Sequence, residues 1–329
     1  MADGIHDRRQ YSVERLEDLN EVVRALDDVI DPYEVCIYVT GSYGRLEAWD
    51  GSDIDVFFLG RSGAKGSGLP RLRQTKLMAG LIAGAEQLSF PEFSQDGRWL
   101  EVHYVDEMAE ILGSPRDDSQ NAFTARMLLL LESRPVLREH LYRELLDEVV
   151  AMYFRDFDDH PATFVPSVLN NDVLRFWRTL TLNYEAERLE VHRAEGDGER
   201  RAKASIALKN YKLKFSRLAT CFSMVVNLAR ATCPVRPEEV IRLAGLTPQE
   251  RFNDLRGCSR EADRLLDDMA ERYAGFLDAV QRPKQELLAE LEDPKAREGL
   301  LDSAGEYGTD IFELLCHVAD RDRLRYLVV

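Results

Sequence analysis

The chain has 329 residues, 45% of them hydrophobic and 31% charged, with a formal net charge of −16. So acidic a chain is a poor non-specific binder of DNA or RNA, where affinity comes from neutralising phosphates, while its length suffices for two packed cores. No run approaches the ~20 apolar residues of a membrane span, and the polar opening "MADGIHDRRQ" has no apolar signal core, so a cytoplasmic protein is expected.

From about Tyr11 to Ile30, apolar residues recur at helical spacing (Val13, Leu16, Leu19, Val22, Val23, Leu26), and Asp31-Pro32 ends the helix. "EVCIYVTG" predicts a first strand and "SDIDVFFLG" a second, followed by the Gly/Ser-rich loop "RSGAKGSGLP". A helix is predicted from Arg71 to about Leu88. "GRWLEVHYV" alternates as a strand, with Trp99, Glu101 and His103 on one face and Leu100, Val102 and Tyr104 on the other. After "LGSPRDDSQ" the texture changes: from Asn121 onwards the pattern is amphipathic helix with no convincing strand. Breaks fall near Ser133–Pro135, "DDHPATFVPS", "EGDGER" and "ATCPVRP". The predicted fold class is α+β, with a mixed-sheet unit over residues 1–115 and an all-helical domain over residues 116–329.

Two helices of the second half are legible in detail. "NDVLRFWRTLTLNYEAERLE" is predicted to start on Asn170 or Asn171 as a cap and to bury Val173, Trp177, Leu180 and Tyr184. Further on, Leu208, Tyr211, Phe215, Leu218, Phe222 and Val225 form a buried stripe. Lys212 and Lys214 flank it, and Lys209 and Arg217 point further out. From Arg200 to Pro237 no Asp or Glu occurs, although nine Lys and Arg residues fall there. Basic residues beside an apolar stripe are usually snorkelling surface groups. The acid-free run in so acidic a chain points instead to an anionic ligand. The five cysteines form no CxxC and the six histidines no HExxH, which argues against a disulfide framework and a zinc centre.

The chemistry concentrates in "VTGSYGRLEAWDGSDIDVFFLG", residues 39–60. Asp53 and Asp55 are two apart on a strand and share a face, so their like charges call for water or a cation. Gly41 permits close backbone approach to a ligand, and Ser42 adds a hydroxyl beside backbone N–H groups, a cradle for phosphate oxygens. Arg45 either adds charge to the same phosphates or salt-bridges to Glu47. The aspartates suit Mg²⁺, with Mn²⁺ as a substitute, because that ion prefers carboxylates and substrate phosphates to a full protein cage. The combination predicts phosphoryl or nucleotidyl transfer assisted by two metal ions. Glu101 is the candidate third acid, either binding the second metal or taking a proton from the acceptor hydroxyl, with His103 its rival as base. The plainer alternative pairs Glu101 with Arg98 at a strand edge.

This stretch resembles the nucleotidyltransferase motif of the DNA polymerase β superfamily: a hydrophobic strand ending in Gly-Ser, then nine to thirteen residues, then Asp-hydrophobic-Asp-hydrophobic. The form GSxGRxE…GSDxD is most similar to the bacterial branch around the PII-protein uridylyltransferases, and aminoglycoside and antitoxin-type minimal nucleotidyltransferases share the skeleton. The resemblance implies a small mixed sheet with helices on one side and a nucleoside triphosphate bound through Mg²⁺. It also implies that Gly41 and Ser42 contact the triphosphate and that Asp53, Asp55 and a third acid, Glu101, ligate metal. The uridylyltransferases carry an HD phosphohydrolase domain as well; "DDH" at Asp158–His160 lacks the spaced histidines and reads as a polar loop. The expected function is Mg²⁺-dependent transfer of a nucleoside monophosphate from a triphosphate such as ATP to a hydroxyl of a protein or small-molecule acceptor. The helical domain is expected to close the cleft, with Lys209 and Lys212 on the triphosphate. An RNA-directed or oligonucleotide-making enzyme and a non-catalytic nucleotide-binding regulator are the alternatives; charge makes nucleic acid the less favoured partner.

Overall fold

The two β-rich runs pair as the centre of a sheet. In the computed structural model, which describes residues 2–63, 68–93, 97, 100–192, 199–324 and 327, the chain divides into two compact units. One comprises His6–Phe164 and Arg236–Thr247; the other comprises Met1–Ile5, Val165–Val235 and Pro248–Val329.

The first unit takes in most of α1 (Ala2–Val23), then α2 (Asp27–Ile30), β1 (Val35–Thr40), α3 (Gly41–Gly44), β2 (Asp55–Gly60), α4 (Arg71–Gln87) and β3 (Val102–Tyr104). It continues with α5 (Val105–Ile111), α6 (Pro115–Ser119), α7 (Ala122–Glu132), β4 (Arg134–Leu137) and α8 (Glu139–Ala151). Among the described residues the sheet has four strands in the order β3-β2-β1-β4. β1 is antiparallel to β2 and β4, and β2 is parallel to β3. Every residue of β1 is buried. One face, carrying Ile37, Val39, Val56 and Phe58, packs on Leu19 and Val23 of α1 and Leu77 and Leu81 of α4. Fully burying each such side chain contributes roughly 1.5–3 kcal/mol.

The opposite face is apolar too, and Tyr38 meets Tyr142 of α8 there with ring centroids 6.0 Å apart. Helices therefore cover both sides of the sheet, not one. β4 lies well past residue 115, in a stretch expected to be helical, and pairs Val39 with Arg134. The sheet unit accordingly runs on to Phe164, and the boundary expected near 115 falls inside it.

The second unit is helical: α9 (Ser167–His192), α10 (Glu199–Lys212), a π-helical turn at Leu213–Arg217, and α11 (Leu218–Arg230). α12 (Pro237–Ala244) belongs to the first unit, and α13 (Pro248–Asn253), α14 (Arg260–Gln281), α15 (Lys284–Leu291), α16 (Pro294–Val318) and α17 (Arg321–Leu324) to the second. α9 starts at Ser167, so Asn170 and Asn171 lie in its first turns and do not cap it. The predicted stripe is buried at Leu208, Tyr211, Phe215 and Val225 and partly buried at Leu218 and Phe222. Tyr211 and Phe215 stack into an aromatic core with Tyr273, Phe276 and Tyr307, and the Phe215 ring centroid is 4.8 Å from those of Phe276 and Tyr307. No helix among the described residues is long and apolar enough to cross a membrane.

Candidate functional site

The antiparallel register of β1 and β2 sets Thr40 opposite Asp55, which brings Gly41 directly beside that carboxylate. Gly41 has φ +68°, and a Cβ placed on it would lie 2.6 Å from Asp55 Oδ2. The backbone conformation favours glycine there, and any side chain would have to push the Asp55 carboxylate aside. Asp53 is exposed just ahead of β2, Asp55 is half-buried at its first residue, and Ser42 is partly exposed on the single turn α3.

Parallel pairing places Phe58 beside Val102, so Glu101 comes level with Phe57 on the Asp55 side of the sheet. Because β1 runs opposite to β2 and β3, one end of the sheet collects the end of β1 and the starts of β2 and β3. Glu101 is nevertheless two residues deeper than Asp55, about 7 Å along the strands and about 4.8 Å across them. Its Oε1 lies 3.6 Å from His103 Nε2. Partial burial raises the Glu101 carboxyl above its ordinary value. The buried His103 ring lies against Phe57, centroids 6.4 Å apart, and desolvation pushes its pKa down to about 4.

Among the described residues no group of three or more His, Cys, Asp or Glu side chains is gathered to hold a metal. Glu101 stands at the same end of the sheet as Asp53 and Asp55, its backbone two residues deeper than that of Asp55. Two carboxylates still fit Mg²⁺, which is commonly held by one or two carboxylates plus substrate phosphates and keeps several waters. Asp55, against Gly41, is one of them.

Of the two expectations for Arg45, the ion pair with Glu47 is the one present. Its Nε donates to Glu47 Oε2 at 2.8 Å and its Nη1 to Glu132 Oε2 at 2.6 Å, all three side chains being buried. At Gly44, a Cβ would lie 1.8 Å from the Glu132 carbonyl oxygen. Arg8 Nη1 donates to the Glu47 carbonyl at 2.9 Å, and Ser12 Oγ accepts from Ala48 N at 3.0 Å. The "GSYGRLE" run therefore splits. Gly41 lies against the Asp55 carboxylate, while Gly44, Arg45 and Glu47 fasten the loop to α7 and α1. Glu132 is the residue that sequence reasoning missed, and its only signal was an acid closing an otherwise apolar helix, "AFTARMLLLLE".

Lys209 and Lys212 belong to the second unit, whereas the aspartates belong to the first. Lys209 Nζ is ion-paired with Glu187 of α9, and the Lys212 carbonyl accepts from Ser216 Oγ at 2.9 Å. Arg98 and Trp99 lie outside the described residues, and with them the alternative pairing of Glu101. Set beside known proteins, the chain matches no family model and no curated sequence.

Proposed function

We propose that the first unit is the catalytic unit of a nucleotidyltransferase, moving a nucleoside monophosphate from a triphosphate to a hydroxyl of a protein or small-molecule acceptor. The observation that carries this reading is the left-handed Gly41 set against the Asp55 carboxylate, with Asp53 exposed two residues ahead of it. In this reading Asp53 and Asp55 hold Mg²⁺ together with the triphosphate, and Gly41 and Ser42 receive the β- and γ-phosphates. Mg²⁺ or Mn²⁺, when bound, supplies charge neutralisation along the phosphates. Glu101 accepts the proton of the acceptor hydroxyl as that oxygen attacks the α-phosphorus and pyrophosphate leaves. A carboxyl raised by partial burial suits the task, since a base gains strength with its pKa. The net charge of −16 favours a protein or small molecule over nucleic acid as acceptor, and the scattered cysteines favour the cytoplasm.

The test incubates the protein with each α-labelled nucleoside triphosphate and Mg²⁺ or Mn²⁺, with and without cell lysate, beside Asp53→Ala and Asp55→Ala. Label should pass to an acceptor and fall at least about a hundredfold in either variant, the loss expected when several kcal/mol of phosphate charge stabilisation disappear. Undiminished transfer by both variants overturns the assignment. A second reading is a nucleotide-binding regulator that does not transfer. It predicts thermal stabilisation by nucleotide and Mg²⁺ with no label transferred.

A further inference from the structure

We propose that His103 is a positioning residue for Glu101, its neutral imidazole donating Nε2–H to the Glu101 carboxylate so that the free oxygen is aimed at the acceptor hydroxyl. The inference rests on Glu101 being the base of the proposed reaction. His103 Nε2 is buried with no hydrogen-bond partner. A buried polar atom left in that condition costs on the order of 1–3 kcal/mol, and the Glu101 oxygen stands 3.6 Å away. Closing that gap to a normal N–H···O distance takes about 0.7 Å. Catalytic hydrogen bonds are often long before substrate arrives and tighten in the complex.

The donor is held still while the acceptor is not. The His103 ring is stacked on Phe57 at 26°, and Phe57 is stacked on Tyr38 at 19° with centroids 5.6 Å apart. Three rings from β3, β2 and β1 thus lie in a row across one sheet face. Glu101, by contrast, is half exposed and precedes the first residue of β3. A long acidic side chain so placed spreads over several rotamers, and restricting it costs up to about 2 kcal/mol; a fixed donor selects one beforehand.

The charge of the ring agrees with that geometry, on which the proposal stands. Burial keeps His103 neutral near pH 7. An imidazolium in its place would hold Glu101 ionised more firmly and weaken it as a base, whereas a neutral donor orients it with little loss of basicity. The same burial takes His103 out of contention as the base, because a ring this enclosed does not reach an acceptor.

The test compares His103→Gln, which keeps an N–H at the end of a planar group, with His103→Leu, which keeps bulk alone. Label transfer from the α-labelled nucleotide with Mg²⁺ and lysate gives kcat and KM for the triphosphate. Expected is a fall in kcat of about tenfold to a hundredfold in His103→Leu, the scale of a misplaced catalytic group. KM should stay within about twofold and His103→Gln should recover most of the rate. Wild-type kcat in His103→Leu, a loss carried by KM, or no rescue by Gln overturns the proposal.

A second measurement needs no turnover. In protein with ¹⁵N-labelled histidine, the His103 imidazole should appear as the Nε2–H tautomer, with a proton resonance that shifts in Glu101→Ala. A resonance indifferent to Glu101, or the Nδ1–H tautomer, overturns the proposal even where the wild type transfers label. Failure of the wild type to transfer any label, with the NMR contact intact, strikes the nucleotidyltransferase reading instead.

Discussion

At Gly41 one residue meets two demands, a positive φ and contact with a carboxylate. Gly41→Ala should therefore lower stability by about 1–3 kcal/mol, the cost of holding an ordinary residue in that region, and abolish label transfer by displacing Asp55. In an Asp55→Ala background the same substitution should cost less, because the clashing oxygens are gone; urea denaturation of the four proteins measures that coupling. His103 gives a pH prediction. Its pKa is about 4 when folded against an ordinary 6.5, so the unfolded chain takes up the proton first as pH falls. The His103 contribution to stability is full well above pH 6.5, is lost as pH drops from there to about 4, and is constant below. The wild type should lose about 3 kcal/mol more than His103→Gln across that window, read from melts at several pH values. Gly41, Ser42, Asp53 and Asp55 were legible because their geometry is local, fixed by strand alternation over a short stretch. The pairing of Arg45 with Glu132, 87 residues away, was not, because no single-chain pattern joins them.

The strand–turn–strand element owes its shape to that distant anchor. Arg45 is shared by two buried carboxylates, so Arg45→Ala removes the cation from between Glu47 and Glu132. Taking one partner from a buried ion pair typically costs about 3–5 kcal/mol. The expected result is a lower urea midpoint with an unchanged slope. Arg45→Lys should recover only part, since a single ammonium cannot reproduce the two-sided contact of a guanidinium. β4 escaped the sequence reading for a physical reason. Arg134-Pro135-Val136-Leu137 is short, carries a proline, and occupies the sheet edge, where proline is tolerated and β-propensity says little. The early start of α9 was hidden similarly, because the helix begins at Ser167, directly after Pro166 and before the asparagines that were expected to cap it.

On the scale of the whole molecule, the α+β class was legible from the change of texture along the chain, but the domain edge was not. Residues 1–115 lack the edge strand β4, α8, which meets the Tyr38 face of the sheet, and α7, which supplies Glu132. A fragment of residues 1–115 should therefore show no cooperative thermal transition by circular dichroism, whereas the full chain melts cooperatively. Completion of the sheet unit also has a timetable. Val240, Leu243 and Ala244 of α12 are buried, the helix packs on α7 and α8, and Arg134 Nη1 donates to the Gly245 carbonyl at 2.8 Å. Yet Arg236 follows Phe164 by 72 residues (236 less 164). At ~5–20 residues per second, a ribosome needs on the order of 4–14 s to bridge that interval. For those seconds the nascent sheet unit waits with a bare apolar groove where α12 will sit, which makes the half-made chain a client for whatever guards the tunnel exit.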